Sequence, residues 1–330
     1  MILLLGATGY IGRAFARALR QRGFCFIPLS RKAFDYTRFD FLFDYLRKIK
    51  PDFLINAVDW ADLGNGGNLE SDRTVMLQEN TLLPQTVSRA CGMTNTQWGQ
   101  ISSGSIYSGA KVLDGRTLRV EKDLTLPDIR KAFVSHPDHF LGFSESDQPN
   151  FSFNSAPCSF YSGTRALAEE SIKNESHNFI WRLRLPFNEE DEPSNFLSQL
   201  QASDSCCGAI NSLSHVDDCV NACLDLWERR APFGIYNVTN PGAIDSAQII
   251  QMAHRIRKLA PRFQLYNSSG NSAQGMAKCH ESNCILDTSK LYRAGIKLRH
   301  VEDALANSLG KWHVSLARSA TNSLPASEVL

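Results

Sequence analysis

Tyr161 and Arg165 stand four positions apart in SFYSGTRALAEES (159–171), a stretch that reads as a helix from Thr164 onward, with Phe160 and Tyr161 at its entrance. On a helix that spacing puts both side chains on one face. A cation held there lowers a phenol's pKa from its reference of about 10, so the phenol can exchange a proton near neutral pH. The same spacing also arises on ordinary surface helices, with the tyrosine half-buried and the arginine solvated. The rest of the chain selects between the two readings.

The elements that must position such a pair begin with Ile2 to Leu5, a continuous apolar run of the kind a buried parallel strand shows. It leads straight into Gly6-Ala7-Thr8-Gly9-Tyr10-Ile11-Gly12 and then into Arg13 to Leu19, which has helical periodicity. Strand, glycine turn and helix in succession let the backbone approach a pyrophosphate, whose charge then sits at the positive end of the helix. A second strand, Phe24 to Leu29, ends in Ser30-Arg31-Lys32, where an NAD site usually carries an acidic residue for the ribose. A hydroxyl and two cations suit the additional phosphate of NADP better.

The alternation continues through a helix at Phe39 to Ile49, a strand at Phe53 to Ala57, and a long helix at Thr74 to Cys91 containing Asn80. A strand near Ile101 follows, ending in Ser102 and Ser103, and another runs from Asn178 to Leu185. Repeated βα units predict an α/β fold, a doubly wound parallel sheet with ligands at the carboxyl ends of its strands, where Ser102 and Ser103 would meet Tyr161. Gly109 to about Phe140 is charged and loop-like and reads as an insertion, either a lid or a surface excursion. Further elements are expected at Asn195 to Gln201, Cys219 to Glu228, Gly234 to Val238 and Ser246 to Leu259, and Ser319 to Leu330 has the composition of a mobile tail. The division expected is a dinucleotide-binding part at 1–185 and a smaller lobe at 186–318, with late elements free to return to the sheet.

Composition closes off other classes. The 330 residues carry 35 basic and 34 acidic side chains with no basic stripe, which gives no reason to expect nucleic-acid or membrane partners. Met1 to Leu5 stops at Gly6, too short for a signal-peptide core, and no run approaches the roughly 18 apolar residues of a membrane span. A cytoplasmic protein is expected. The nine cysteines are scattered, and the imaginable zinc group of Cys219, Cys223, Cys279, His280 and Cys284 fits no common ligand framework, so no metal is expected.

With these residues in view, the chain resembles the extended short-chain dehydrogenase/reductase superfamily over nearly its whole length. The matching features are GATGYIG at 6–12, Asn56-Ala57, Asn80, Ser103, Tyr161 with its cation at 165, and Arg184-Leu185-Pro186. Within it the chain is most similar to the dTDP-4-dehydrorhamnose reductase group, above all to its nucleotide-rhamnose synthase/epimerase-reductase proteins. The runs GFSESDQPNF (142–151), SFYSGTRALAEE (159–170), RLRLPF (182–187), PSNF (193–196) and NVTNPG (237–242) carry that similarity.

The resemblance implies a Rossmann domain with a smaller C-terminal α/β lobe that holds a nucleotide-diphospho-sugar. It implies hydride transfer from NADPH, with NAD as the alternative, to a 4-keto carbon while Tyr161 protonates the oxygen. Ser103 would hydrogen-bond that oxygen, and the residue at 165 would bind the nicotinamide ribose. Asn56, Ala57, Val58, Asn80, Ser102 and Pro186 would line the cofactor, Asp35 would approach the adenine, and Ser105 and Asn195 would face the sugar. Three departures stand out. The family has lysine where this chain has Arg165. The bifunctional members' epimerising cysteine and lysine read Ser105 and Gln199 here, so no 3,5-epimerisation is expected. The segment between Tyr107 and Tyr161 is longer than in the group. A homodimer is compatible with the resemblance. Two other readings stand beside the reductase: a non-catalytic NADP-binding protein on the same fold, and a related nucleotide-sugar epimerase or dehydratase.

Overall fold

Successive residues of the first strand, β1 (Ile2–Leu5), face opposite layers, as the two-residue period of a strand requires. Ile2 and Leu4 pack into one apolar cluster, Leu3 and Leu5 into another, and all four are inaccessible to solvent. A strand buried on both faces is the mark of a parallel sheet covered by helices on each side. The computed structural model describes residues 1–59, 73–202, 205–257, 264–266 and 282–312. The cysteine-histidine pair at 279–280 and the tail at 319–330 lie outside them.

Five more parallel strands join β1: β2 (Phe26–Leu29), β3 (Phe53–Asn56), β4 (Gln97–Ser103), β5 (Asn178–Leu183) and β6 (Gly234–Asn237), in the order β2-β1-β3-β4-β5-β6. Helices α1 (Tyr10–Gln21) and α5 (Val216–Glu228) cover one face. Helices α2 (Phe39–Ile49), α3 (Leu83–Thr94) and α4 (Phe160–Ile172) cover the other. The doubly wound sheet is therefore present, with its topological switch point between β1 and β3, where such folds open a crevice for ligands. A third core, including Phe187, Leu213, Ile249 and Leu305, belongs to the later part of the chain. Leu291 and Ile296 belong to the apolar cluster on one face of the main sheet, and Cys284 and Leu286 form bridges to Gly109 and Phe143.

Two sequence expectations change. The 109–140 stretch is not a loop: Ala110–Asp114 and Thr117–Glu121 form a hairpin, extended by Phe140–Leu141, with the helix Pro127–Ser135 between. Its charges occupy the outer positions, while Ala110, Val112, Phe133 and Phe140 meet Ile210 and Ile285 inside. The helix expected at 74–91 is interrupted by a π-helical turn, Gln78–Leu82, which re-aims the residues on it. Cys219 and Cys223 lie in the main apolar core and Cys284 in a separate cluster, with burial raising each thiol's pKa.

The helix carrying Tyr161 is held to the sheet by buried charge. Glu169 on α4 takes three hydrogen bonds from Arg182 on β5, at 2.6 to 3.1 Å, and one from the Ser102 hydroxyl at 2.6 Å. Arg182 also donates to the Tyr107 hydroxyl at 3.0 Å. Breaking one side of such a pair leaves an uncompensated charge in the interior. Glu169→Gln is expected to destabilise the fold by about 3–5 kcal/mol, read as a lower midpoint in urea denaturation.

A second cluster sits at the start of α5. The buried His215 ring lies 3.3 Å from a Glu189 oxygen and 3.4 Å from an Asp218 oxygen, and Arg299 holds the other Asp218 oxygen at 2.7 Å. Burial opposes the charged ring, but the two carboxylates outweigh it and hold the His215 pKa up at about 9. Because the folded pKa lies above the unfolded value, its stabilisation is fully present below about pH 6.5 and is lost as pH rises through about 9. Thermal melts from pH 6.5 to 9.5 should therefore fall more steeply for the native protein than for His215→Gln.

Candidate active site

The glycine turn after β1 is shaped by close approach. Gly6 adopts φ +72°, and a Cβ there would lie 2.9 Å from the Val58 backbone nitrogen. A Cβ on Gly12 would fall 1.9 Å from the Gly6 carbonyl oxygen. Only glycine allows the turn and the helix to meet this closely. Gly9 caps α1 in extended backbone with no side chain over the first turn, and that turn holds no acidic residue. Its N–H groups are thus left to an anion. Tyr10 and Ile11 have buried side chains in the core, so their contribution to a ligand is their backbone N–H.

Thr8, Gly9, Ser30, Arg31, Lys32, Ala57 and Val58 line a cavity of about 340 Å³ at the switch point, together with Gly6, Tyr36, Asp59 and Glu79. The last three are residues the sequence reasoning did not single out. Glu79 is buried and ion-paired to Arg31, brought there by the π turn. Tyr36 is buried, and burial raises its pKa against the lowering effect of the Arg31 charge. The cradle fits a dinucleotide: a glycine turn a Cβ would fill, a bare helix N-terminus and two cations after β2.

Several residues expected at the cofactor go elsewhere. Asn56 is inaccessible, donating to Gln100 at 2.8 Å and steadying the Val58 N–H at 3.3 Å. Asn80 donates to the Thr164 hydroxyl at 3.4 Å, tying the π turn to α4. Asp35 accepts from the Thr37 N–H at 3.2 Å and hydroxyl at 2.5 Å, closing its own local turn while Tyr36 faces the cavity. Ser102 is committed to Glu169. Pro186 pairs with Ser214 in a short ladder outside the cavity lining. Each is a polar or rigid residue beside the cavity whose bonding capacity the fold itself uses.

The chemistry-bearing pair does assemble. Tyr161 opens α4 and Ser103 closes β4, which puts the serine hydroxyl close enough to the phenol to favour its charged form. The Arg165 guanidinium carbon lies 5.4 Å from the Tyr161 ring centre, one terminal nitrogen donates to the Ile101 carbonyl at 3.3 Å, and Arg165 is only 1% exposed. The phenol's pKa is not lowered, however. Burial and the Asp59 carboxylate raise it, outweighing Arg165 and Ser103, although the residue as a whole is only half-buried. Burial is the larger cause, and Asp59 adds to it: one of its oxygens is 2.5 Å from Arg165 and the other 3.5 Å from the Tyr161 hydroxyl.

On the expected sugar side, Ser105 is buried, its N–H donates to Ser103 Oγ at 3.2 Å, and its hydroxyl makes no hydrogen bond among the described residues. Asn195 is tied into its own turn. It is inaccessible, bonded to Asn188 and Glu190 carbonyls at 3.0 and 2.6 Å and to the Leu197 N–H at 2.9 Å. Arg184 likewise holds Asn211 at 2.7 Å.

Residues 1–130 match a family model described as the RmlD substrate binding domain. Over 305 residues the chain is 25% identical to the bifunctional dTDP-4-dehydrorhamnose 3,5-epimerase/dTDP-4-dehydrorhamnose reductase of Arabidopsis thaliana, covering 92% of this chain and 90% of that protein. It is 24% identical over 306 residues to a trifunctional UDP-glucose 4,6-dehydratase/UDP-4-keto-6-deoxy-D-glucose 3,5-epimerase/UDP-4-keto-L-rhamnose-reductase of the same plant, with 92% of this chain covered, but it spans only 41% of that protein's length. In fold it is similar to the L780 UDP-rhamnose synthase of Acanthamoeba polyphaga mimivirus, with a TM-score of 0.74 at 20% identity over 94% of this chain and 98% of that one. A dTDP-4-dehydrorhamnose reductase of Bacillus anthracis solved with NADP superposes at TM-score 0.67 and 16% identity, over 93% and 96% of the two chains. The resemblance read from the motifs thus holds in sequence and in fold.

Proposed function

We propose that the protein is an oxidoreductase that converts a nucleotide-diphospho-4-keto-6-deoxy-sugar to the 4-hydroxy sugar with NADPH, without 3,5-epimerisation. One observation carries the reading: a phenol, a serine hydroxyl and a buried guanidinium converge where β4 and α4 meet, beside a glycine-built dinucleotide cradle. The relatives named for nucleotide-rhamnose reduction support it, as does the NADP held by a protein of the same fold.

The dinucleotide, when bound, supplies a hydride. Gly6, Gly9 and the first turn of α1 would hold its pyrophosphate, and Arg31 and Lys32 its ribose phosphate. Tyr161 protonates the carbonyl oxygen as the carbon is reduced, and Ser103 orients that oxygen by hydrogen bond. The phenolate left behind is stabilised by Arg165. A phenol, whose reference pKa is about 10, is protonated at neutral pH, as a proton donor must be. The absence of an epimerase step is supported by Gln199, exposed and bonded through its amide to the Pro193 carbonyl at 2.9 Å, and by Ser105, a hydroxyl too weakly acidic for the exchange.

The test is NADPH oxidation with a panel of nucleotide-4-keto-6-deoxy-sugars. Tyr161→Phe should lower kcat by about 100-fold or more while leaving the NADPH dissociation constant nearly unchanged. NADPH binding without turnover of any panel sugar by the unmodified protein would favour the non-catalytic reading instead. Arg31→Ala should weaken NADPH binding by about tenfold or more and NADH binding little, since the variant removes a phosphate partner rather than the cradle.

A further inference from the structure

The loop leaving β3 ends at Asp59 on the wall of the cavity, opposite the helix that carries Tyr161 and Arg165. Its two carboxylate oxygens do different things. Oδ1 stands 2.5 Å from a terminal nitrogen of Arg165, and Oδ2 stands 3.5 Å from the Tyr161 hydroxyl. One carboxylate thus touches both members of a pair that lies about 100 residues further along the chain.

Arg165 needs such a partner. A guanidinium 1% exposed cannot rely on water, and the Ile101 carbonyl satisfies only one of its nitrogens. The ion pair with Asp59 supplies the counter-charge that keeps the guanidinium beside the phenol. The second oxygen places negative charge beside the Tyr161 hydroxyl, which disfavours the phenolate. Among the described residues, the charged groups around the phenol are Arg165 from α4 and Asp59 from the loop after β3. Arg31, Lys32, Tyr36 and Glu79 line the same cavity, with Arg31 and Glu79 paired to each other.

We propose that Asp59 is a positioning residue for the reduction: its ion pair holds Arg165 beside the phenol, and its second oxygen sets how readily Tyr161 gives up its proton. In the step itself, the O–H bond of Tyr161 breaks and its proton goes to the carbonyl oxygen as the carbon accepts the hydride. The phenolate that results recovers a proton from solvent. Asp59 transfers none. The inference rests on the reductase reading, but the property it names belongs to the cofactor-free protein.

The experiment is an absorbance titration of tyrosinate without cofactor or substrate, with Tyr161 isolated by subtracting the corresponding Tyr161→Phe variant. In Asp59→Asn, Tyr161 should ionise about one pH unit lower than in the unmodified protein, a tenfold change in acidity. Asp59→Glu should return it towards the native value. The alkaline limb of kcat/KM against pH should move by the same amount and in the same direction. Unchanged ionisation of Tyr161 in Asp59→Asn, in protein with native circular dichroism and NADPH affinity, would overturn the proposal. Asp59→Ser gives a second neutral variant for the same comparison should the asparagine protein fold poorly. Failure of the reductase reading would look different: no turnover of any panel sugar by the unmodified protein, with the Tyr161 shift intact.

Discussion

The Glu169–Arg182 ion pair fixes what the rest of the site depends on, the seating of one helix on one sheet. Both groups are nearly inaccessible, and two charges removed from water must satisfy each other closely or not be buried at all. Here one carboxylate takes three donations from the guanidinium and a fourth from Ser102, the residue next to the Ser103 that meets the phenol. The pair therefore sets the register of α4 against β4 and β5. Close packing supports it: a Cβ on Gly163 would fall 2.2 Å from the Phe153 ring. Hydrophobic contact alone would allow a helix to slide or roll. A directional, fully buried charge pair does not.

The division between what was legible and what was not follows from the range of the forces involved. The glycine turn, the two-residue alternation of β1 and the β2 terminus are decided by neighbours in sequence, so the crevice and its phosphate-binding end could be read directly. The i, i+4 spacing placed Tyr161 and Arg165 on one helix face for the same reason. The direction of the phenol's pKa shift could not be read, because it depends on burial and on Asp59, about 100 residues away, both of which only the fold supplies.

Polar residues at fitting positions proved the least readable. Asn56, Asn195 and Ser102 all stand near the expected ligands, yet each spends its hydrogen bonds on the fold. Nothing in a residue's type says which partner it will meet. Glu79 was hidden differently: a single π turn re-aims it, while the sequence around it keeps the look of an ordinary helix. The 109–140 segment misled through composition. Its charges lie on the outside of a hairpin whose inner positions, Ala110 and Val112, are few enough to be lost among them.

The cavity's electrostatics favour a particular division of labour. Of its lining charges, Arg31 is matched by Glu79, and Asp59 is matched by Arg165 just behind the wall. Lys32 is the remaining cation of the lining. A diphosphate approaching this surface meets charges already paired, so attraction by net charge is weak. What draws it is local: the exposed N–H groups at the start of α1, which need no counter-ion rearrangement to accept an anion. Only one terminal nitrogen of Arg31 is given to Glu79, so the rest of its half-exposed guanidinium is free to meet a ribose phosphate. At the other end of the cavity the two charges of the Asp59–Arg165 pair are left to govern the phenol.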